Sequence, residues 1–386
     1  MKKKIFIVIL IFTCLFLGGC TKKKSIENLQ IATGLSLDLD ENGSLELSAQ
    51  ILNHHAVGDR PQEVSPVIVL SETGRTIQEA FRKLSTILPG KLFFSHFEIL
   101  VIGEELAKAG IAPYIYFFSI NEETIHQYNI IVARGCKGKD ILKILSVVEN
   151  IPAMSHYGKM ISALDFYGIG KFYTVDKTIN DINSPAIALS LGSLQIIGDI
   201  EKGNKLDNRK TIDLATYTKV STLGIFRYDC LVGWLDEAES IGLNYLTNQI
   251  KSSFVVVTKA DGNHASIEIY KSKLKKKLIV EGDKIKFKLS INFTGDITDD
   301  LTGITPHTNQ YVADILERAK YEIRIMCEKA IQKTKEYKLD IFGFGRDIYR
   351  QNNSLWEKIK DNYHEEIFPN IEFEIIVDGE LIRVKP

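Results

Sequence analysis

The sequence predicts an α+β protein of several lobes, with mixed sheets, packed helices and a long helix in the C-terminal lobe. Three observations lead there. Apolar residues alternate with period two near both ends of the chain, from Ile31 to Ile51 and from Ile267 to Phe293. The longest helical period runs from His307 to Tyr337, with Val312, Ile315, Ala319, Ile323, Met326, Ala330 and Thr334 on one face. Strands and helices both abound between these segments, without the regular alternation that builds a doubly wound sheet.

Taken in order, Ile31, Leu35, Leu37 and Leu39 mark one strand, and Leu45, Leu47 and Ile51 the next. Asp40-Glu41-Asn42-Gly43 joins them, and Asn-Gly between alternating runs signals a hairpin. Asp38, Asp40, Asn42 and Gly43 also match the first half of a calcium loop. Its twelfth position, however, is Ala49 instead of a bidentate Glu, and the flanks read as strands, so no calcium is expected. A polar loop covers His54 to Pro66, a short strand Val67 to Leu70, and a turn Ser71 to Gly74. Thr76 caps a helix with Glu79 at the capping-box position, and Pro89-Gly90 stops it. Leu92 to Ile102 reads as one buried strand containing His96. Pro113 opens an aromatic-rich helix, and Gln127 to Ala133 is a strand. Helices are expected near Lys139 to Val148 and Ser155 to Tyr167, and a strand at Phe172 to Val175.

Asn183-Ser184-Pro185 breaks the pattern. Mostly strands follow from Leu191 to Lys288, with a helix at Asp236 to Ile250. Two long strands meet at Glu281-Gly282-Asp283. Lys271, Lys273, Lys275, Lys276 and Lys277 load the first of them, which reads as a solvated face or a guarded edge, with an acidic or membrane surface as the sharper alternative. After the long helix come a short helix near Leu355 to Tyr363 and a terminal hairpin, Ile371 to Val377 and Leu381 to Val384, around Asp378-Gly379.

The N-terminus carries its own signal. Lys2, Lys3 and Lys4 precede an apolar run from Ile5 to Leu17, which is too short to cross a bilayer of about 30 Å as a helix. This pattern marks a secretory leader. Leu17-Gly18-Gly19-Cys20 resembles a bacterial lipobox, and the resemblance implies cleavage after Gly19 and a lipid on the Cys20 thiol. Residues 1–19 are then the signal peptide, and Lys22, Lys23 and Lys24 lie beside the membrane, where they form a solvated linker or meet anionic lipid.

The 386 residues are 45% hydrophobic and 25% charged, the composition of an ordinary globular chain of two or three domains. The formal charge is −1, and −1 − 3 = −4 without the leader lysines, so nucleic acid is not an expected partner. Of five cysteines, Cys136, Cys230 and Cys327 stand beyond Cys20, far apart and without metal-ligand spacing, and Cys327 falls on the apolar stripe of the long helix. There is no P-loop, G-x-G-x-x-G, H-E-x-x-H or G-x-S-x-G. Glu104-Glu105 and Glu365-Glu366 read as helix-surface charges, and His54-His55 lacks a third ligand. No enzyme activity, cofactor or metal is expected.

Three blocks, in this order and together with the lipobox-like segment, resemble the C subunit of spore germinant receptors, the Ger(x)C family of lipoproteins. They are SETGRTIQEAFRKLSTILPGKLFFSHFEILVIGEELAKAGI from Ser71, GIFRYDCLVGWLDEAESIGLNYL from Gly224, and DIFGFGRDIYRQNNSLWEKIKDNYHEEI from Asp340. The chain departs from the family pattern at Thr21 and the three lysines, where Trp and acidic residues are usual, and at Tyr245, where Trp is common. The resemblance implies a three-lobed α+β fold and a non-enzymatic subunit tethered on the outer face of the spore inner membrane. Its implied partners are the receptor's A and B subunits and the membrane itself. The expected regions are 20–190, with an insertion near 54–133, and 191–386. Ser95, His96, Glu98, Trp234, Phe342, Phe344 and Arg346 are candidate interface residues. A small-molecule-binding envelope lipoprotein is the alternative.

Overall fold

The structure is a computed structural model that describes residues 29–53, 56, 64–259, 261–282, 284–300 and 308–384. The leader, Cys20, Lys22 to Lys24, His54, His55 and Asp283 lie outside the described residues.

β1 (Leu29–Leu39) and β2 (Leu45–Leu52) form the expected hairpin, and Gly43 takes the left-handed φ of 75° that its turn requires. Asp40 closes the turn by accepting from the Asn42 and Ser44 amides at 2.8 and 2.7 Å. Asp38 turns away to the Gly138 and Lys139 amides, so the two carboxylates do not converge as calcium ligands. β3 (Val67–Gly74) pairs antiparallel with β2 along its whole length. The expected turn at Ser71 to Gly74 is therefore strand. Its polar residues sit on a half-exposed edge, where Ser71 and Ser48 hydroxyls meet at 2.7 Å.

α1 (Ile77–Leu84) is capped by Thr76, which accepts from the Glu79 amide, while Glu79 reaches back to the amide of Arg75 instead of its own cap residue. The single strand expected at Leu92 to Ile102 is two, β4 (Lys91–Phe93) and β5 (Ile99–Gly103). Phe94 and Phe97 are both buried, a spacing of three that a strand's alternation cannot satisfy, so the chain turns between them. Phe94 stacks on Phe81 at 4.4 Å and Phe97 lies 4.1 Å from the Tyr128 ring. α2 (Glu104–Ala109), α3 (Ala112–Ile120) and β6 (Asn129–Ala133) follow. Next come α4 (Gly138–Lys143) and α5 (Pro152–Ser162), the latter prolonged by a π turn over Ala163–Tyr167. The strand expected at Phe172 to Val175 does not form. There Tyr173 exchanges one bond with the Ile130 amide and one with the Asn129 side chain, and α6 (Val175–Ile182) begins at once.

β7 (Ser190–Gly198), α7 (Ile200–Gly203), β8 (Thr216–Val220), β9 (Gly224–Arg227) and β10 (Cys230–Trp234) complete a ten-stranded sheet. Its order is β10-β9-β7-β6-β5-β1-β2-β3, with β4 on β1 and β8 on β7. β1, β5, β6 and β7 run parallel through its centre. β5 and β6 are wholly buried, which explains their unbroken apolar runs, ILVIG and NIIVA. Residues 64–133 supply β3 to β6 to this one sheet, and β7 to β10, from residue 190 onward, also belong to it.

The second sheet begins after α8 (Glu237–Leu246), whose N-terminus is a capping box of Asp236 and Glu239. β11 (Ser253–Thr258), β12 (His264–Glu281), β13 (Lys284–Asp300) and β14 (Glu372–Val384) stand in that order. α9 (Asn309–Tyr337) covers one face and buries Ile315, Ala319, Ile323, Cys327, Ala330 and Thr334. Gly242 of α8 lies so close that a Cβ there would stand 2.1 Å from the Met326 carbonyl oxygen. α10 (Phe344–Gln351) and α11 (Asn353–Ile359) lead into β14. The terminal hairpin is replaced by this one strand, parallel to β13. Gly379 makes room for the Phe293 ring, 2.6 Å from where its Cβ would be, and the chain runs straight past it.

His156 on α5 is 1% exposed, between the Ile141 carbonyl oxygen at 2.9 Å and the Thr218 hydroxyl at 3.2 Å. Burial holds its pKa down to about 3 from the usual 6.5. Between those values the unfolded chain takes up a proton that the folded chain refuses, so stability falls as pH drops through the window, by up to about 1.4 kcal/mol per pH unit. We expect His156→Gln to flatten this part of the profile. Thermal unfolding of both proteins between pH 4 and pH 7 measures the difference.

Candidate interaction site

The seven candidate residues fall in three separate places. Ser95, His96 and Glu98 form the turn between β4 and β5, at the end of the sheet where the parallel strands begin. The Glu98 backbone ties two strands together, donating to the Thr33 carbonyl and accepting from the Asn129 amide, each at 3.0 Å. Ser95 accepts from the Ile125 amide at 3.3 Å, and Lys91 pairs with Glu123 beside it. With Phe94 and Phe97 turned inward, His96 points to solvent, and Ile125, whose amide meets Ser95, stands exposed beside it. Leu29, the first described residue, pairs with Lys91 on this same edge.

Trp234 lies at the other end of the parallel strands. Its ring carries the Arg134 guanidinium at 4.8 Å, and its indole N–H donates to Glu104 at 3.5 Å. Burial works against the Glu104 charge, but the Gly135 amide and Lys108 outweigh it and lower its pKa. Asp38 and Glu104 line a crevice of about 500 Å³ here with Cys136 and Asp140. Open sheets of this kind commonly bind ligands in such a crevice. Here the two carboxylates already occupy the Gly138, Lys139 and Gly135 amides, so those donors are not free to cradle a solute anion.

Phe342, Phe344 and Arg346 belong to a third place, and the two phenylalanines are core, 4% and 0% exposed, instead of surface anchors. The cause is Asp340. This fully buried carboxylate accepts from the amides of Phe342, Gly343 and Gly345 at 2.9, 2.9 and 2.8 Å and from the Tyr363 hydroxyl at 2.8 Å. Gly343 has φ 78°, and a Cβ on Gly345 would stand 2.7 Å from the Ala186 carbonyl oxygen. The D-x-F-G-F-G stretch is thus a carboxylate wrapped by its own amides, which throws both rings inward. Burial raises the Asp340 pKa and the amide donors oppose that rise.

Just outside the wrap, Arg346 reaches across to α6 and donates to Asp181 at 2.6 Å. Asp181 also accepts from Tyr173 at 2.6 Å, and Lys171 sits 4.5 Å above the Tyr173 ring, its pKa brought down to about 8 by burial. Ala188 donates to the Asp340 carbonyl oxygen, and Arg227 donates to the Tyr337 carbonyl oxygen. This joint between the two sheets uses the second and third family-like blocks together. Nothing in the spacing of Lys171, Asp181 and Arg346 announces it. Asp340 ahead of two glycines was the one legible sign. Tyr245 is 1% exposed and packs in the second core.

Among the described residues, no group of three His, Cys, Asp or Glu side chains stands together as a metal site, and no helix is long and apolar enough to cross a membrane. The arrangement is that of a two-sheet α+β protein whose charged groups tie elements together. The profile described as "Spore germination protein N-terminal domain" matches residues 22–196, and that described as "Spore germination B3/GerAC like, C-terminal" matches residues 221–385. The chain belongs to this family of spore germination proteins. It is 27% identical to spore germination protein KC of Bacillus subtilis (strain 168), over 97% of this chain and 94% of that one. It is 23% identical to spore germination protein B3 of the same organism, over 97% and 96%. The crystal structure of the GerBC protein shares the fold, with a TM-score of 0.56 at 19% identity, covering 91% of this chain and 97% of that one.

Removal of the Asp340 carboxylate strands four buried donors. We expect Asp340→Ala to lose at least about 3 kcal/mol in urea unfolding, against less than about 0.5 for the exposed control Arg350→Ala.

Proposed function

We propose that this protein is a lipid-anchored subunit of a nutrient germinant receptor, held on the outer face of the spore inner membrane and acting by contact with the receptor's A and B subunits. The observation that carries the reading is end-to-end similarity to spore germination proteins in a chain whose residues 17–20 read Leu-Gly-Gly-Cys. Cleavage after Gly19 and lipid on Cys20 leave eight residues, 21–28, before β1. Fully extended, that tether spans about 30 Å. It confines the protein to the membrane surface, where its local concentration for membrane partners is high.

The tether enters at the edge that bears Ser95 and His96, and we assign that edge to the receptor-facing side. The charged groups beside Trp234 and at the joint, Glu104, Asp38, Asp340, Asp181 and Arg346, are engaged structurally, which supports a role in contact instead of turnover. We further propose two functional regions, 20–190 and 191–386, which share the first sheet and meet again at the joint of Asp181 and Arg346.

Spores carrying Cys20→Ala test the reading, scored by dipicolinate release with nutrient and, separately, with a receptor-independent trigger. We expect the nutrient response to slow several-fold and the other to be unchanged, with the protein lost from the membrane fraction. A normal nutrient response from unanchored protein overturns the proposal.

A further inference from the structure

We propose that the open face of the second sheet docks on an anionic phospholipid surface through Lys271, Lys273, Lys275 and Lys277. All four are exposed and alternate along β12, so their side chains leave the same face, away from α9. At about 3.3 Å per residue the row is about 20 Å long. Cross-strand register adds Lys284, Lys286 and Lys288 of β13, and Lys277 stands directly opposite Lys288. Like charges in that position repel.

The acidic groups facing the row do not cancel it. On β14, Glu374 is taken by Lys286 and Lys288 at 2.7 and 3.5 Å, and Asp378 by Lys320 of α9 at 3.0 Å. Glu380 accepts from Thr294 at 3.5 Å, and Glu372 lies opposite Lys286. Glu281 is opposite Lys284 at the hairpin end. Among the described residues, Lys271, Lys273, Lys275 and Lys277 have no carboxylate within 4 Å. Lys276, which points to the other face, does have one, Asp347 at 3.0 Å, and donates to the Phe342 carbonyl oxygen. The strand therefore pairs the lysine that faces the protein and leaves unpaired the four that face out. A flat row of uncompensated charge suits a planar anionic surface better than a pocket ligand. The second half of β12 is also a sheet edge, since β11 pairs only with residues 264–269, and edge protection is the competing explanation for the lysines.

The inference rests on the membrane location proposed above but not on the lipid anchor. The test uses the chain from Thr21 onward, which keeps every described element and lacks Cys20. It is sedimented with phosphatidylglycerol-containing vesicles, with phosphatidylcholine vesicles, and with phosphatidylglycerol vesicles at high salt. We expect binding to the first alone. Each lysine near such a surface strengthens binding about fivefold, so reversing all four to Glu weakens it at least about a hundredfold, and reversal to Gln weakens it less. Should the Glu variant precipitate, amine acetylation of the wild-type chain gives an independent answer: phosphatidylglycerol vesicles then protect these four lysines and leave Lys202 reactive. Absence of vesicle binding, equal binding by the variants, or capture of polyglutamate instead of vesicles overturns the assignment, the last transferring the face to an acidic protein. A normal nutrient response from Cys20→Ala spores, with intact vesicle binding by the Thr21 chain, would sink the anchor reading alone.

Discussion

The joint between the two sheets depends on one buried charge. Asp340 sits with no exposure, and an ion in that position survives only when its lone pairs are filled. Three amides from its own turn and one phenol fill them. That demand fixes the path of residues 340–345, and the path fixes the rest: Phe342 and Phe344 go into the core, Arg346 emerges toward α6, and the Asp340 backbone meets Ala188, just ahead of β7. Removing the charge would therefore loosen contacts on both sides of the joint, as expected of a satisfied polar network in a low-dielectric interior.

Much of the fold was legible in the residues. The hairpin at Asn42-Gly43, the Thr76 cap and the Cys327 stripe all follow from local chemistry, and local chemistry decided them. Failures arose where a distant partner decided. A run of apolar residues at Leu92 to Ile102 hid a turn, because Phe94 and Phe97 both answer to rings on α1 and near β6. Gly379 looked like a turn residue, yet it is small only because Phe293 lies against it. Phe342 and Phe344 looked like surface anchors, and only the burial of Asp340 explains why they are not. Of the candidate contact residues, His96 proves exposed, while the ion pair of Arg346 with Asp181 joins residues far apart in the chain and could not be read in advance.

The two sheets differ in what they offer to solvent. The central strands of the first are covered, so its accessible groups are loops at the strand ends, including the turn beside Leu29. The second is covered by α9 on one face and open on the other, where lysines dominate β12. The contact role proposed above has use for both kinds of surface, one made of short loops and the other broad and charged. The joint holds them in a fixed relation.

The parallel pairing of β13 with β14 has a consequence for how the chain acquires its shape. Lys286 finds its partner at Glu372, after α9, α10 and α11 have intervened. By contrast, β1 and β2 meet across a five-residue turn, Asp40 to Ser44. Local pairings form early, and distant ones wait on the closure of long loops. The first hairpin can therefore assemble while the chain is still emerging, whereas the second sheet stays one strand short, with a free β13 edge, until its final segment arrives. That interval is the period of greatest exposure to wrong partners.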